Sequence, residues 1–282
     1  MIHLSNDEDQ RESIFGLPSV VGRNDESSMI INFWNIFLLL CLFFCANPVR
    51  AQWIQTDGLY GGSTTTFAAT RLGMFAGTQY GGVFYRPTNE KRWFSLNYGL
   101  SDLHITFLVV LGNDLFAGTR YSGVFLSSNN GRTWSSASNG LSGGEITALV
   151  VSGTTLFAGV SNSTLGGSVF RSDNLGKSWT EIKNWTLSYS RCVLAVSGEN
   201  IFAAIYNDGI YRSDNNGATW TSINFGITHT NILSLAVSGT TIIAVTSSDQ
   251  ENWYNMYRST NNGASWADIT PHTEFLWQIR CL

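Results

Sequence analysis

Charge is scarce in this chain: Asp, Glu, Lys and Arg together make only 13% of 282 residues, and there are four prolines, four histidines and four cysteines. Helical proteins need Glu- and Lys-rich solvent faces, so so little charge argues against a helical bundle. No C-x-x-C spacing occurs and the histidines, His3, His104, His229 and His272, show no ligand spacing, so neither a zinc site nor a disulfide framework is indicated. No metal or other cofactor is therefore expected. No basic stripe is present either: residues 1–51 carry three basic and six acidic residues, and 52–282 carry 13 against 14, which excludes an electrostatic nucleic-acid partner. The longest apolar run, "IFLLLCLFFC" at 36–45, is ten residues, too few to span a bilayer of about 30 Å as a helix.

That run reads instead as the apolar centre of an export signal. It is followed by "ANPVRAQW", in which Val49 and Ala51 take the −3 and −1 positions of a peptidase site before Gln52. Residues 1–28 are acidic where a signal needs positive charge, and a start at Met29 would make 29–51 the whole leader. The expectation is a protein exported to the periplasm, cell surface or medium, with no membrane contact once the leader is removed. Cys41 and Cys45 would leave with it. Cys192, in "RCVLAVSG", reads as a small apolar strand residue, and a bond from it to Cys281 is permitted but not required.

What is abundant is glycine (28 residues), aromatic side chains and an internal repeat. "MFAGTQYGGVFYR", "LFAGTRYSGVFLSS", "LFAGVSNSTLGGSVFRS", "IFAAIYNDGIYRS" and "IIAVTSSDQENWYNMYRS" follow one another. Their second residues, Phe75, Phe116, Phe157, Phe202 and Ile243, are spaced 41, 41, 45 and 41. An apolar run precedes each phrase, and a turn ending in Trp93, Trp134, Trp179, Trp220 or Trp266 follows it. Each unit reads as four short strands, the small residues of "FAG" letting neighbours come close. Four strands in about 41–46 residues is the size of a propeller blade, and such units bury both faces only by stacking. The expected fold is an all-β propeller over 52–282, with units at about 60–97, 103–138, 145–183, 190–224 and 231–270 and a strand remnant at 275–282. "QWIQT" stands in fourth-strand register, so five complete units with orphan strands at both ends imply an incomplete ring or a chain cut short. The insertions "SNSTLGGS" and "SSDQENWYN" are placed in exposed loops.

Aligned on tryptophan, four turns are "SSNNGRTW", "SDNLGKSW", "SDNNGATW" and "STNNGASW". This pattern, here called the box, resembles the Asp-box or bacterial neuraminidase repeat, a hairpin between the third and fourth strands of blades in sialidases, xyloglucanases, sortilin-type receptors and photosystem II assembly factors. Asn129, Asn174, Asn215 and Asn261 stand where that family usually has aspartate, and the first unit, "RPTNEKRW", has lost the glycine too. The residues themselves point to architecture. Ser127, Ser172, Ser213 and Ser259 and the four asparagines can bond backbone N–H groups and fold a tight turn. Gly131, Gly176, Gly217 and Gly263 supply positive φ. Trp134, Trp179, Trp220 and Trp266 would tuck beneath the turn, each indole N–H taking a local acceptor. Asp173 and Asp214 fall at a position also held by Ser128 and Thr260, so they read as solvated turn residues. Arg171, Arg212 and Arg258 recur at one blade position near the outside and read as structural or surface side chains.

No catalytic residue is assigned. Tyr121, Tyr206, Asp102, Asp114, Glu145, Glu199 and Asp208 supply the types a sialidase or a two-carboxylate glycosidase uses, but no motif gathers them, and "GND", "SGE" and "YNDG" read as hairpin turns. The segments "GLYGGS", "GLSDLHIT", "GLSGGEIT" and "GITHTNIL" lead into successive first strands, where propellers commonly bind ligands. Tyr60, Asp102, His104, Glu145, His229 and Thr230 are the candidates there. The expected function is a non-catalytic module that binds a protein or glycan. A glycoside hydrolase of the sialidase or xyloglucanase kind and a photosystem II assembly factor-like protein are the alternatives that the resemblance implies.

Overall fold

A computed structural model of the chain describes residues 59, 61–162, 166–185, 191–247 and 254–270. All of them belong to the second of two compact units, Thr56–Leu282. The leader, Tyr60, Cys281 and the 275–282 remnant lie outside the described residues.

Among the described residues, twenty strands form five antiparallel sheets, each a four-stranded meander in chain order. The first contains β1 (Thr64–Thr70), β2 (Gly73–Thr78), β3 (Gly82–Pro87) and β4 (Phe94–Ser95); the second β5 (Ile105–Leu111), β6 (Asp114–Thr119), β7 (Val124–Ser127) and β8 (Ser135–Ser136). The third contains β9 (Glu145–Ser152), β10 (Thr155–Asn162), β11 (Gly166–Ser172) and β12 (Thr180–Trp185). The fourth contains β13 (Cys192–Ser197), β14 (Asn200–Ile205), β15 (Gly209–Ser213) and β16 (Thr221–Ser222); the fifth β17 (Ile232–Ser238), β18 (Thr241–Ser247), β19 (Tyr254–Ser259) and β20 (Ala267–Asp268). First strands of successive sheets lie side by side from β1 to β17, and each second strand also touches the next sheet's first strand. Sheets radiating from adjacent inner strands are the blades of a β-propeller, as the repeat period predicts. Among the described residues, the fifth sheet makes no comparable contact with the first.

Burial follows from that stacking. The second strands are buried along nearly their whole length rather than on alternate residues, because a neighbouring blade covers each face. Phe75, Phe116, Phe157 and Phe202 are fully buried. The small residues of "FAG" are needed for the approach: a Cβ on Gly77 or Gly118 would lie 2.5 or 2.7 Å from Ile105 or Ile146 of the next sheet. Cys192 behaves as expected, a fully buried free thiol in β13 whose pKa burial pushes up to about 12.

The four boxes share one hydrogen-bond pattern. In the second sheet Ser127 Oγ donates to Asn129 Oδ1 (3.0 Å), Gly131 N–H donates to Ser127 Oγ (2.8 Å) and Thr133 N–H donates to Asn129 Oδ1 (2.9 Å). The Ser172–Asn174–Gly176, Ser213–Asn215–Gly217 and Ser259–Asn261–Gly263 turns repeat these bonds within 0.1 Å or 0.2 Å. Asn129 Nδ2 also donates to Thr133 Oγ1 (2.8 Å), where an aspartate would instead accept from the hydroxyl, so Asn keeps the contact with its direction reversed. The box glycines take φ of 75–83°. Those of the second, third and fourth sheets pack beside the preceding sheet's Phe75, Phe116 or Phe157, where a Cβ would come within 3.2–3.5 Å of the ring.

Two expectations are corrected. The indole N–H does not stay local: Trp134, Trp179 and Trp266 donate to Leu96 O (2.9 Å), Ala137 O (2.8 Å) and Ile223 O (2.6 Å), all in the preceding sheet. Only Trp220 bonds its own box, at Gly217 O (3.1 Å). The insertion "SNSTLGGS" is not simply a loop, because Ser161, Asn162, Gly166, Gly167 and Ser168 pair in the β10–β11 ladder and lengthen the hairpin. Backbone groups that pair with each other need no water, so extending a ladder is a favourable use of inserted residues. Of "SSDQENWYN", Ser247, Tyr254 and Asn255 likewise pair in β18–β19. Two of the arginines hold a structural role and Arg258 is exposed: Arg171 Nη1 donates to Asn216 O (3.1 Å) and Arg212 Nη1 to Asn262 O (3.2 Å), each tying one box to the next. Asp173 and Asp214 remain mostly exposed and pair with those arginines.

Candidate functional site

Because Thr64 pairs with Thr78, the segment entering a blade and the turn between its second and third strands lie at the same end, opposite the box. That end is the entry face. Its turns in the first two blades are built alike: Thr78 Oγ1 donates to Gly82 O and accepts from Gly81 N–H, and Thr119 Oγ1 donates to Gly123 O and accepts from Ser122 N–H. Each capped turn carries a tyrosine outward, Tyr80 at 57% exposure and Tyr121 at 67%.

Between them runs the segment entering the second blade. Asp102 is not a surface carboxylate, as its loop position suggests, but is 6% exposed. It accepts the His104 N–H (2.9 Å) and the Tyr121 N–H (2.8 Å), and faces His104 Nδ1 at 3.0 Å. Burial opposes its charge, but the two backbone donors and the His104 ring outweigh that and hold its carboxyl below the usual range. The His104 ring is thereby fixed, meeting Tyr80 and Tyr121 edge-on with centroids at 5.3 and 5.2 Å. With Nδ1 turned to Asp102, Nε2 is the nitrogen left for other partners. Arg120 places its guanidinium 5.5 Å from the centre of the Tyr121 ring and 3.8 Å from Glu145 Oε2.

Asp102, His104 and Glu145 therefore belong to one cluster, with Glu145 standing as the first residue of β9 rather than in a loop. His229 and Thr230 lie elsewhere on the entry face. His229 Nδ1 bonds Thr228 Oγ1 (3.0 Å) and the hydroxyl of the fully buried Tyr257 (3.2 Å), and Thr230 O accepts from Ile232 N–H (2.9 Å). Sequence reasoning passed over Tyr80 and Arg120 as site members; the signal was the paired "GTQYGG" and "GTRYSG" turns. At the outer side, a cleft of about 490 Å³ opens between β8 and the third sheet's box, lined by Leu126, Ala137, Leu175 and Lys177 among others. Ala137 in its lining stands where the other blades carry the larger Leu96, Ile182, Ile223 and Ile269. Among the described residues, no group of three or more His, Cys, Asp and Glu side chains is arranged to hold a metal, and no helix is long and apolar enough to cross a membrane.

Fold and site together define a β-propeller with a fixed polar-aromatic cluster on its entry face. No family model matches the chain. No curated protein matches it either. Solved structures do: the computationally designed Ika8 protein (TM-score 0.56, 12% identity, 81% of this chain and 67% of that one) and YCF48 bound to D1 peptide (0.56, 13%, 76% and 70%). The GH74 enzyme of Niastella koreensis is similar over 80% of this chain and 33% of its own length (0.54, 17% identity), so the chain spans about a third of that enzyme. At such identities the likeness establishes the propeller fold.

Proposed function

We propose that this chain is an exported, non-catalytic propeller of the Asp-box kind that binds a protein or glycan on its entry face. The observation that carries this reading is the convergence of Tyr80, His104, Tyr121, Arg120 and Glu145 around a carboxylate already committed to three hydrogen-bond partners. A carboxyl held in the charged form by backbone donors is a poor proton donor, and Glu145 is paired with Arg120, so the cluster suits recognition better than glycosidic cleavage. The four superimposable boxes support membership of the Asp-box group, and the leader at 29–51 supports export. That a propeller of similar fold, YCF48, binds the D1 peptide supports a peptide as one class of ligand.

The test is affinity capture with the exported chain against secreted proteins and an oligosaccharide array, beside assays of sialoside and xyloglucan hydrolysis. Retention of a ligand without turnover is the expected result; turnover of either substrate would overturn the non-catalytic reading.

A further inference from the structure

We propose that Tyr80, His104 and Tyr121, flanked by Arg120 and Glu145, form a binding site for an uncharged sugar ring. This rests on the interaction-module reading above and gives it a place and a ligand class. The repeat supplies an internal control. Positions equivalent to Asp102 hold Gly143 and His229 in later blades, and those equivalent to His104 hold Glu145 and Asn231. A blade therefore folds without the Asp–His pair, and its presence at one seam is not a requirement of the architecture. Nor does the seam need two tyrosine rings more than half exposed to water. Rings of this kind, apolar on the face and polar at the hydroxyl, suit the C–H face of a pyranoside.

Charge decides between ligands. Asp102 is buried and its carboxylate is occupied by the His104 and Tyr121 N–H groups and the His104 ring. Arg120 and Glu145 offset each other at 3.8 Å, with side chains 47% and 39% exposed, so both keep donors and acceptors free for vicinal hydroxyls. Among the described residues of the cluster, the one guanidinium, Arg120, is already paired with Glu145, which leaves no free cation to hold a sialic acid, a uronic acid or an acidic peptide, and the carboxylate without a cationic partner, Asp102, is buried out of reach of a basic one. The parts are also pre-ordered, by the Thr78 and Thr119 turn caps and by Asp102, which acts as a positioning residue for His104; a site already ordered loses less entropy on binding.

The experiment titrates the full mature chain with neutral gluco-, xylo-, manno- and galacto-oligosaccharides and with sialyl and uronic acid oligosaccharides, by calorimetry and by product analysis. At least one neutral oligosaccharide is expected to bind, with Tyr80→Ala and Tyr121→Ala each weakening it tenfold or more and Tyr121→Phe less than threefold. Asp102→Asn is expected to weaken it similarly and to move the ring-nitrogen resonances of His104 while the circular dichroism spectrum is retained, a change that a purely structural role would not produce. Binding of acidic oligosaccharides alone, or equal affinity in Tyr121→Ala, overturns the site. Capture of a protein by wild type and Tyr121→Ala alike, with no sugar bound, also overturns it and leaves the scaffold reading standing. Shortened neutral chains with affinity still lost in Tyr121→Ala support the site and overturn the non-catalytic reading.

Discussion

The seam between the third and fourth blades is built differently from the seams on either side of it. At the first–second, second–third and fourth–fifth seams, the incoming tryptophan is held at both ends: its indole N–H reaches Leu96, Ala137 or Ile223, and its backbone N–H reaches Tyr98, Asn139 or Phe225. At the third–fourth seam, Trp220 turns its N–H back to Gly217 and meets Trp185 edge-on at 5.9 Å, and Tyr211 packs against Trp185 at 5.3 Å. Two features set this seam apart, one position in the outer strand and the residues inserted into β11. Asn97, Ser138, Asn224 and Thr270 each accept the N–H of Val83, Val124, Ile210 or Met256 through a side-chain oxygen, ending the ladder after two residues. Lys183 has no acceptor to offer, so β12 continues along the lengthened β11 as far as Trp185. A hydrogen-bonded clasp is thus exchanged for aromatic packing by one missing oxygen and a few inserted residues.

The contrast can be broken most forcefully at the tryptophans. Trp179→Ala, removing a buried ring and its bond to Ala137, should cost roughly 3–5 kcal/mol in urea unfolding, and Trp220→Ala, at the partly open seam, roughly half as much. Next is Gly140→Ala. At φ of 92° a Cβ would lie 2.3 Å from Trp179 O, so a loss of about 2–3 kcal/mol is expected, against about 1 kcal/mol for Gly112→Ala, where φ is 64° and the space is open. Ser138→Ala should cost about 1–2 kcal/mol by orphaning the Val124 N–H, whereas Lys183→Ala should leave the thermal midpoint nearly unchanged. Arg171→Ala, which loses a half-exposed bond to Asn216, should cost under about 1 kcal/mol.

The entry face adds a comparison in pH. Since the folded carboxyl of Asp102 sits below its unfolded value of about 3.9, its contribution is present above that pH and fades as the pH falls through the folded value. Melting of the wild type should therefore drop more steeply below about pH 4 than melting of Asp102→Asn. Parallel curves for the two proteins would break the assignment.

The five four-stranded units and the box turn were legible, because each depends on local signals: apolar runs bounded by turns, turn residues at fixed offsets and a repeat of about 41 residues. The inserted residues were harder to place, since a glycine- and serine-rich stretch reads as loop until a partner strand is known to run beside it. The candidate site was half legible. Asp102, His104 and Glu145 stood out by type and by entering a first strand, but Tyr80 and Arg120 sit in turns 24 and 16 residues from His104 and join it only because antiparallel pairing returns both turns to the entry face.

The sequence by itself determined a chain of four-stranded antiparallel units that must stack, since each carries apolar residues for two faces and only a neighbour can cover them. Tertiary structure alone decided which blade each tryptophan serves and that Asp102 is buried while the tyrosines beside it are exposed. Those outcomes depend on what the adjacent blade presents, a carbonyl at one seam and an indole at another, and no local pattern in a chain records the neighbour it will meet.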